Sequence, residues 1–125
     1  MPRSLLISMV ALAAFGLAAI VSVGEAQATS CSKFGKVRSQ NSNTPVTVTF
    51  VNKSGEYRSV MWIDFKGQPV SYANLDPGQN YTIKTYVTHL WMFTDGPGNC
   101  IEMFMPSKGV PKFNLTAKST GAGGD

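Results

Sequence analysis

Turn-forming residues punctuate this 125-residue chain from Thr44 onward, and between them side chains alternate with a period of two. The turns fall at Asn52-Lys53-Ser54-Gly55, Lys66-Gly67-Gln68-Pro69, Asp76-Pro77-Gly78-Gln79 and Gly96-Pro97-Gly98-Asn99. Each combines residues that pre-set φ or tolerate positive φ, so each reverses the chain cheaply. Val46, Val48 and Phe50 alternate with threonines, as β-branched and aromatic residues do in strands. Met61, Ile63 and Phe65 alternate with Val60, Trp62 and Asp64; Tyr81 and Ile83 alternate with Thr82 and Lys84. Leu90 and Met92 alternate with His89, Trp91 and Phe93, and Cys100–Met105 and Val110–Leu115 supply two further strands. After the first 28 residues no stretch keeps a helical period for a dozen positions. Short strands at roughly 8–12-residue intervals predict an all-β sandwich or small barrel.

Composition narrows the function. Apolar residues reach 43% and charged residues only 14%, which fits one packed domain rather than a disordered chain. One His and two Cys exclude most closed zinc sites, which need four ligands. Neither GxxxxGK[ST] nor GxGxxG occurs, so no nucleotide cofactor is expected. The basic residues form no block of the kind that grips nucleic acid, so no nucleic-acid partner is expected either.

Residues 1–28 read as a signal peptide. Arg3 supplies the positive end, Leu5 to Val23 is apolar and uncharged, and Ala26-Gln27-Ala28 offers small residues for cleavage. A membrane anchor is the competing reading, because the run approaches the length of a bilayer span. Cleavage would remove Arg3 and Glu25, one of each sign, and leave the net charge at +4. The mature protein is then secreted or periplasmic, free of the membrane, with a polar lead-in at 29–44, a sandwich at 45–117 and a flexible tail at 118–125. In an oxidising compartment the lone pair Cys31 and Cys100 is expected to form a disulfide. Closing that loop is worth about 4 kcal/mol in the chain-entropy model.

The alternation singles out Trp62, His89 and Trp91. If Met61, Ile63, Leu90 and Met92 point into the sandwich, these three point away from it, and large rings on a surface imply a binding role. The competing reading is a second core on that face. Catalysis is not expected: His89 and Asp95 lie six positions apart along one apparent strand, too far to hydrogen-bond, and no pair of carboxylates stands out. Sequons stand at Asn52, Asn80 and Asn114.

Phe50-Val51-Asn52-Lys53-Ser54, Trp62-Ile63-Asp64-Phe65-Lys66-Gly67-Gln68-Pro69, Tyr72, Leu75, Pro77-Gly78, Tyr86 and His89-Leu90-Trp91-Met92-Phe93-Thr94-Asp95 carry a family resemblance. Together they match W-[IL]-[DN]-F-x-G-x-P, L-x-P-G and H-L-W-[ML]-F-x-D without gaps, and Glu102-Met103-Phe104-Met105-Pro106 follows as E-L-F-V-P does. The chain thus resembles the β domain of the von Hippel–Lindau tumour suppressor family over roughly residues 46–115. The resemblance implies a seven-stranded antiparallel β-sandwich that binds an extended peptide bearing 4-hydroxyproline. It carries the ligand-binding positions over to Trp62, Tyr72, Thr85, His89 and Trp91.

That chemistry is coherent. Aromatic walls bury the apolar pyrrolidine ring, and Thr85 with His89 can supply a donor and an acceptor for its hydroxyl. A peptide with plain proline would leave both polar groups desolvated and unpaired, and would therefore bind less well. The peptide backbone is expected to add a strand along a sheet edge. Two departures limit the likeness. Thr85 replaces the family's Ser, adding a methyl group, and the helical domain that recruits ubiquitin ligase machinery has no counterpart in this sequence. A secreted structural or adhesive sandwich is the alternative function.

Overall fold

A computed structural model describes residues 27–29 and 31–119. Its elements are β1 (Gln27–Thr29), a 3-10 turn (Cys31–Lys33), β2 (Pro45–Asn52), β3 (Arg58–Ile63), β4 (Pro69–Leu75), β5 (Asn80–Tyr86), β6 (Leu90–Thr94), β7 (Cys100–Met105) and β8 (Lys112–Leu115). One sheet has the order β1-β7-β6-β3-β4 and the other β5-β2-β8. Strands β2–β8 make the expected seven-stranded sandwich. It departs from a wholly antiparallel one, because β8 pairs with β2 in parallel. The Pro106–Pro111 connection crosses from one sheet to the other, so no tight hairpin imposes an antiparallel direction on β8.

The sheet faces correct the sequence reading. Trp62 and Trp91 turn inward, between the sheets, beside Val60, Phe93 and Phe104 and against Val48, Phe50 and Leu115 of the smaller sheet. Phe50 anchors this core, with ring centroids 5.5 Å from Trp91, 5.0 Å from Phe93 and 5.6 Å from Phe104. Trp91 is only 2% exposed. Ile63, Leu90, Met92 and Met103 occupy the outer face of the five-stranded sheet as a second cluster, packed with Met61, Cys100 and Met105 of the same sheet and with Cys31 and Val37 of the preceding segment. Both faces of that sheet are thus buried, and alternation alone cannot say which one meets the other sheet.

The outer face is closed by the segment read as an irregular lead-in. Cys31 and Cys100 are disulfide-bonded and fix this segment to β7. Further along, buried Ser39 donates its hydroxyl to Ile63 O and accepts from Leu90 N at 2.7 Å, bridging β3 and β6. The signal-peptide reading falls mostly on residues 1–26, outside the described residues. Its last two positions, Gln27 and Ala28, pair with Met105 and Phe104 at the β7 edge.

Buried polar groups close the opposite end. Arg58 is fully buried; its guanidinium donates to Glu56 Oε1 and to Ala117 O, both at 3.0 Å. Glu56 also accepts from the Ser119 amide and hydroxyl, and Lys118 Nζ donates to Ser54 O at 2.6 Å. The first two residues of the expected flexible tail are therefore laced to the β2–β3 turn, while residues 120–125 lie outside the described residues. The Asn52 sequon is also structural. Its buried amide donates to Glu56 O and Leu75 O and accepts from Ser54, which leaves it no access to a glycan.

Candidate functional site

Where β3, β4 and β6 face the β5 edge, the sandwich opens into a cleft of about 180 Å³. Its walls are Trp62, Tyr72, Thr85, His89 and Trp91 together with Ile83, Lys84 and Tyr86 of β5. All five residues named from the sequence meet there. Sequence reasoning missed the three β5 neighbours, although Ile83 shares the face of Thr85 at a spacing of two.

Backbone register aims the rings. Trp62 and Trp91 lie directly opposite each other across the β3–β6 ladder. The β3–β4 register shifts between Val60 and Met61: Ala73 pairs with Val60 and Ser71 with Met61, so Tyr72 has no opposite residue. This bulge turns Tyr72 over the cleft, 5.1 Å from the Trp91 ring and 6.5 Å from Trp62. Tyr72 remains 43% exposed, an outer wall facing the buried Trp91.

His89 follows a tight turn. Its N–H donates to Tyr86 O at 3.0 Å, and Thr88 before it adopts φ of +74°. A β-branched residue is strained there, at a cost of about 1–3 kcal/mol. Two hydrogen bonds hold the strain: Thr88 Oγ1 to Gln40 O at 3.0 Å, and Gln40 N to Thr88 O at 3.1 Å. The imidazole sits among Trp62, Phe65 and Tyr86, with centroids 5.6, 5.4 and 5.1 Å away. Burial pushes its pKa below the ordinary 6.5, so it is neutral at pH 7 and offers one donor and one acceptor nitrogen. Asp95 instead caps its own turn, accepting from Gly98 and Asn99 amides at 3.0 and 2.7 Å. No His89–Asp95 pair forms.

Thr85 is buried, and its Oγ1 accepts from Trp91 Nε1 at 3.1 Å. One lone pair is thereby committed, and the hydroxyl hydrogen stays available to donate. Trp62 Nε1 is buried with no hydrogen-bond partner, an unused donor in a ring that walls the cleft. Thr85 and His89 thus offer a donor and an acceptor beside three aromatic rings. A groove of about 380 Å³ lies elsewhere, between Pro45–Thr47 and Lys108–Pro111; it is larger and more apolar, but it brings together no such set of side chains.

The family model described as the VHL beta domain matches residues 37–110, more than half of the chain. The match spans the Ser39–Gln40 brace, every cleft residue and strands β2 to β7. The chain therefore belongs to the VHL beta-domain family, a family of hydroxyproline-recognising binding domains.

Proposed function

We propose that this protein is an exported binding module that recognises 4-hydroxyproline in an extended polypeptide. The carrying observation is the pairing of Thr85 and His89 inside an aromatic cleft too small for a typical drug-sized ligand. The pyrrolidine ring lies among Trp62, Tyr72 and Trp91. Its hydroxyl accepts from Thr85 Oγ1, whose other interaction is already fixed by Trp91, and donates to the unprotonated nitrogen of His89. Strand β4 forms one edge of its sheet and is exposed from Pro69 to Tyr72, so the ligand backbone can add there as a further strand. A ligand carbonyl beside the cleft would supply the acceptor that Trp62 Nε1 lacks, after a small shift of the ring.

Isothermal titration with two peptides that differ only in the proline hydroxyl tests this reading. The hydroxylated peptide is expected to bind about tenfold tighter or better, since the plain one leaves two buried polar groups unpaired. Equal affinities, or no binding of either, would overturn it. Export is tested separately by the intact mass of protein recovered outside the cytoplasm. Recovery there without residues 1–28 supports it, and absence of the protein from that fraction refutes it; retention of Arg3 there refutes cleavage alone.

A further inference from the structure

Beyond the aromatic cleft lies a second, polar one of about 270 Å³, lined by Arg38, Ser39, Gln40, Asn41 and Phe65. The 44%-exposed Phe65 stands between the two, its ring 5.3 Å from Trp62 and 5.4 Å from His89. Arg38 also flanks the β3–β4 turn: a Cβ on Gly67 would lie 3.9 Å from Arg38 Cβ, which brings the exposed Lys66 into the same region.

Arg38 and Lys66 are exposed, and neither makes an ion pair among the described residues, where the Arg58–Glu56 bridge is at the other end of the sandwich. Asp64 is the acid of this turn. Its Oδ1 accepts from the amides of Gln68 and Lys66, at 2.9 and 2.8 Å, and these bonds together with the Lys66 charge hold its pKa below the ordinary carboxylate value, so it stays ionised and balances Lys66. Glu56, Asp95 and Glu102 gather instead around Arg58. Arg38, exposed on the cleft wall and in no ion pair among the described residues, leaves an uncompensated positive charge there.

From this we infer that the second cleft is a subsite for a carboxylate side chain, so that the ligand is an acidic polypeptide whose Asp or Glu lies two to three residues from the recognised proline. This rests on the aromatic cleft holding the proline ring. One ring separates the clefts, which corresponds to roughly two to three residues of extended chain at about 3.3 Å each. Arg38 receives the carboxylate through its planar fork, with Gln40 and Asn41 amides as further donors. The acid adds electrostatic selection and a faster encounter to recognition of the ring.

The test uses the whole protein and three peptides in fluorescence polarisation. One carries hydroxyproline flanked by Asp at the second and third positions on both sides, one replaces those Asp with Asn, and one keeps Asp but replaces hydroxyproline with Ala. The Asp peptide is expected to bind about fivefold tighter than the Asn peptide at low salt, with the advantage shrinking as salt rises. The variant Arg38→Gln should erase that advantage while leaving affinity for the Asn peptide unchanged. Equal binding of Asp and Asn peptides overturns the subsite and leaves the proline cleft standing. Binding of the Ala peptide as tight as that of the parent overturns the coupling and shows a generic polyanion surface. If neither hydroxyproline peptide binds, the underlying proline-cleft reading fails and the subsite fails with it.

Discussion

Replacing Thr85 with Val separates recognition of the hydroxyl from recognition of the ring. Valine keeps the branched shape but has no oxygen, so two interactions disappear. The first is internal: Trp91 Nε1 loses its acceptor at 3.1 Å and becomes a buried unpaired donor, which costs about 1–3 kcal/mol of folding stability. The second concerns the ligand: the hydroxyproline oxygen loses its donor and keeps only His89. That should weaken the hydroxylated peptide by about 1–1.5 kcal/mol, or roughly tenfold. Plain proline should bind as before or slightly better, because the variant no longer buries a hydroxyl against it. Thr85→Ser is the control, since it keeps the oxygen and the bond from Trp91. Titrations of both peptides against wild type, Thr85→Val and Thr85→Ser measure the preference, and urea melts confirm that each variant is folded. The reasoning is refuted if Thr85→Val, folded, weakens both peptides by the same factor.

Three further outcomes follow from the same geometry. His89 is the cleft residue whose charge changes between pH 5 and 8, and burial lowers its pKa, so affinity for the hydroxylated peptide should be level above pH 6.5. Below the depressed pKa, protonation removes the acceptor and affinity should fall by up to about tenfold per pH unit; a pH series of titrations with the plain peptide as reference checks the sign. Tyr72→Ala should remove peptide binding at small cost in stability, whereas Trp91→Ala, which empties core space beside Phe50, should destabilise by about 3–5 kcal/mol in denaturant melts. Reduction of the Cys31–Cys100 bond should lower stability by up to about 4 kcal/mol, read as a shift in melting temperature with and without a thiol reductant.

Alternation located β2 and β5 because each presents contrasting faces, and it marked β6 through Leu90 and Met92 alternating with Trp91 and Phe93 although all five residues of that strand are buried. It gave no sign of β4, where Pro69, Val70, Ser71 and Tyr72 are all exposed at a sheet edge and no buried face imposes a period. The parallel pairing of β8 depends on a connection between sheets, which carries no local signature. The tryptophans singled out together do line one cleft, but on the side of the sheet opposite to the expected one. Ser39 and Val37, in a segment with no strand pattern, cover the Ile63–Leu90–Met92 face, and a polar loop that acts as a lid cannot be told from a solvated one by composition. No local pattern marks Arg58 or Asn52 as buried, yet both are, because backbone carbonyls of distant segments converge on them. For the cleft itself, periodicity singled out Trp62, His89 and Trp91, whereas Tyr72 and Thr85 came only with the family motif. Tyr72 reaches the cleft through a bulge, a change of register that period-two reasoning cannot anticipate.

The most direct measurement is a crystal structure of the protein with a hydroxyproline peptide bound. The pyrrolidine ring is expected among Trp62, Tyr72 and Trp91, with its hydroxyl about 2.7–3.0 Å from both Thr85 Oγ1 and a His89 ring nitrogen. A peptide seated instead in the groove between Pro45 and Pro111, or a ring bound in the cleft with its hydroxyl turned to solvent, would contradict it.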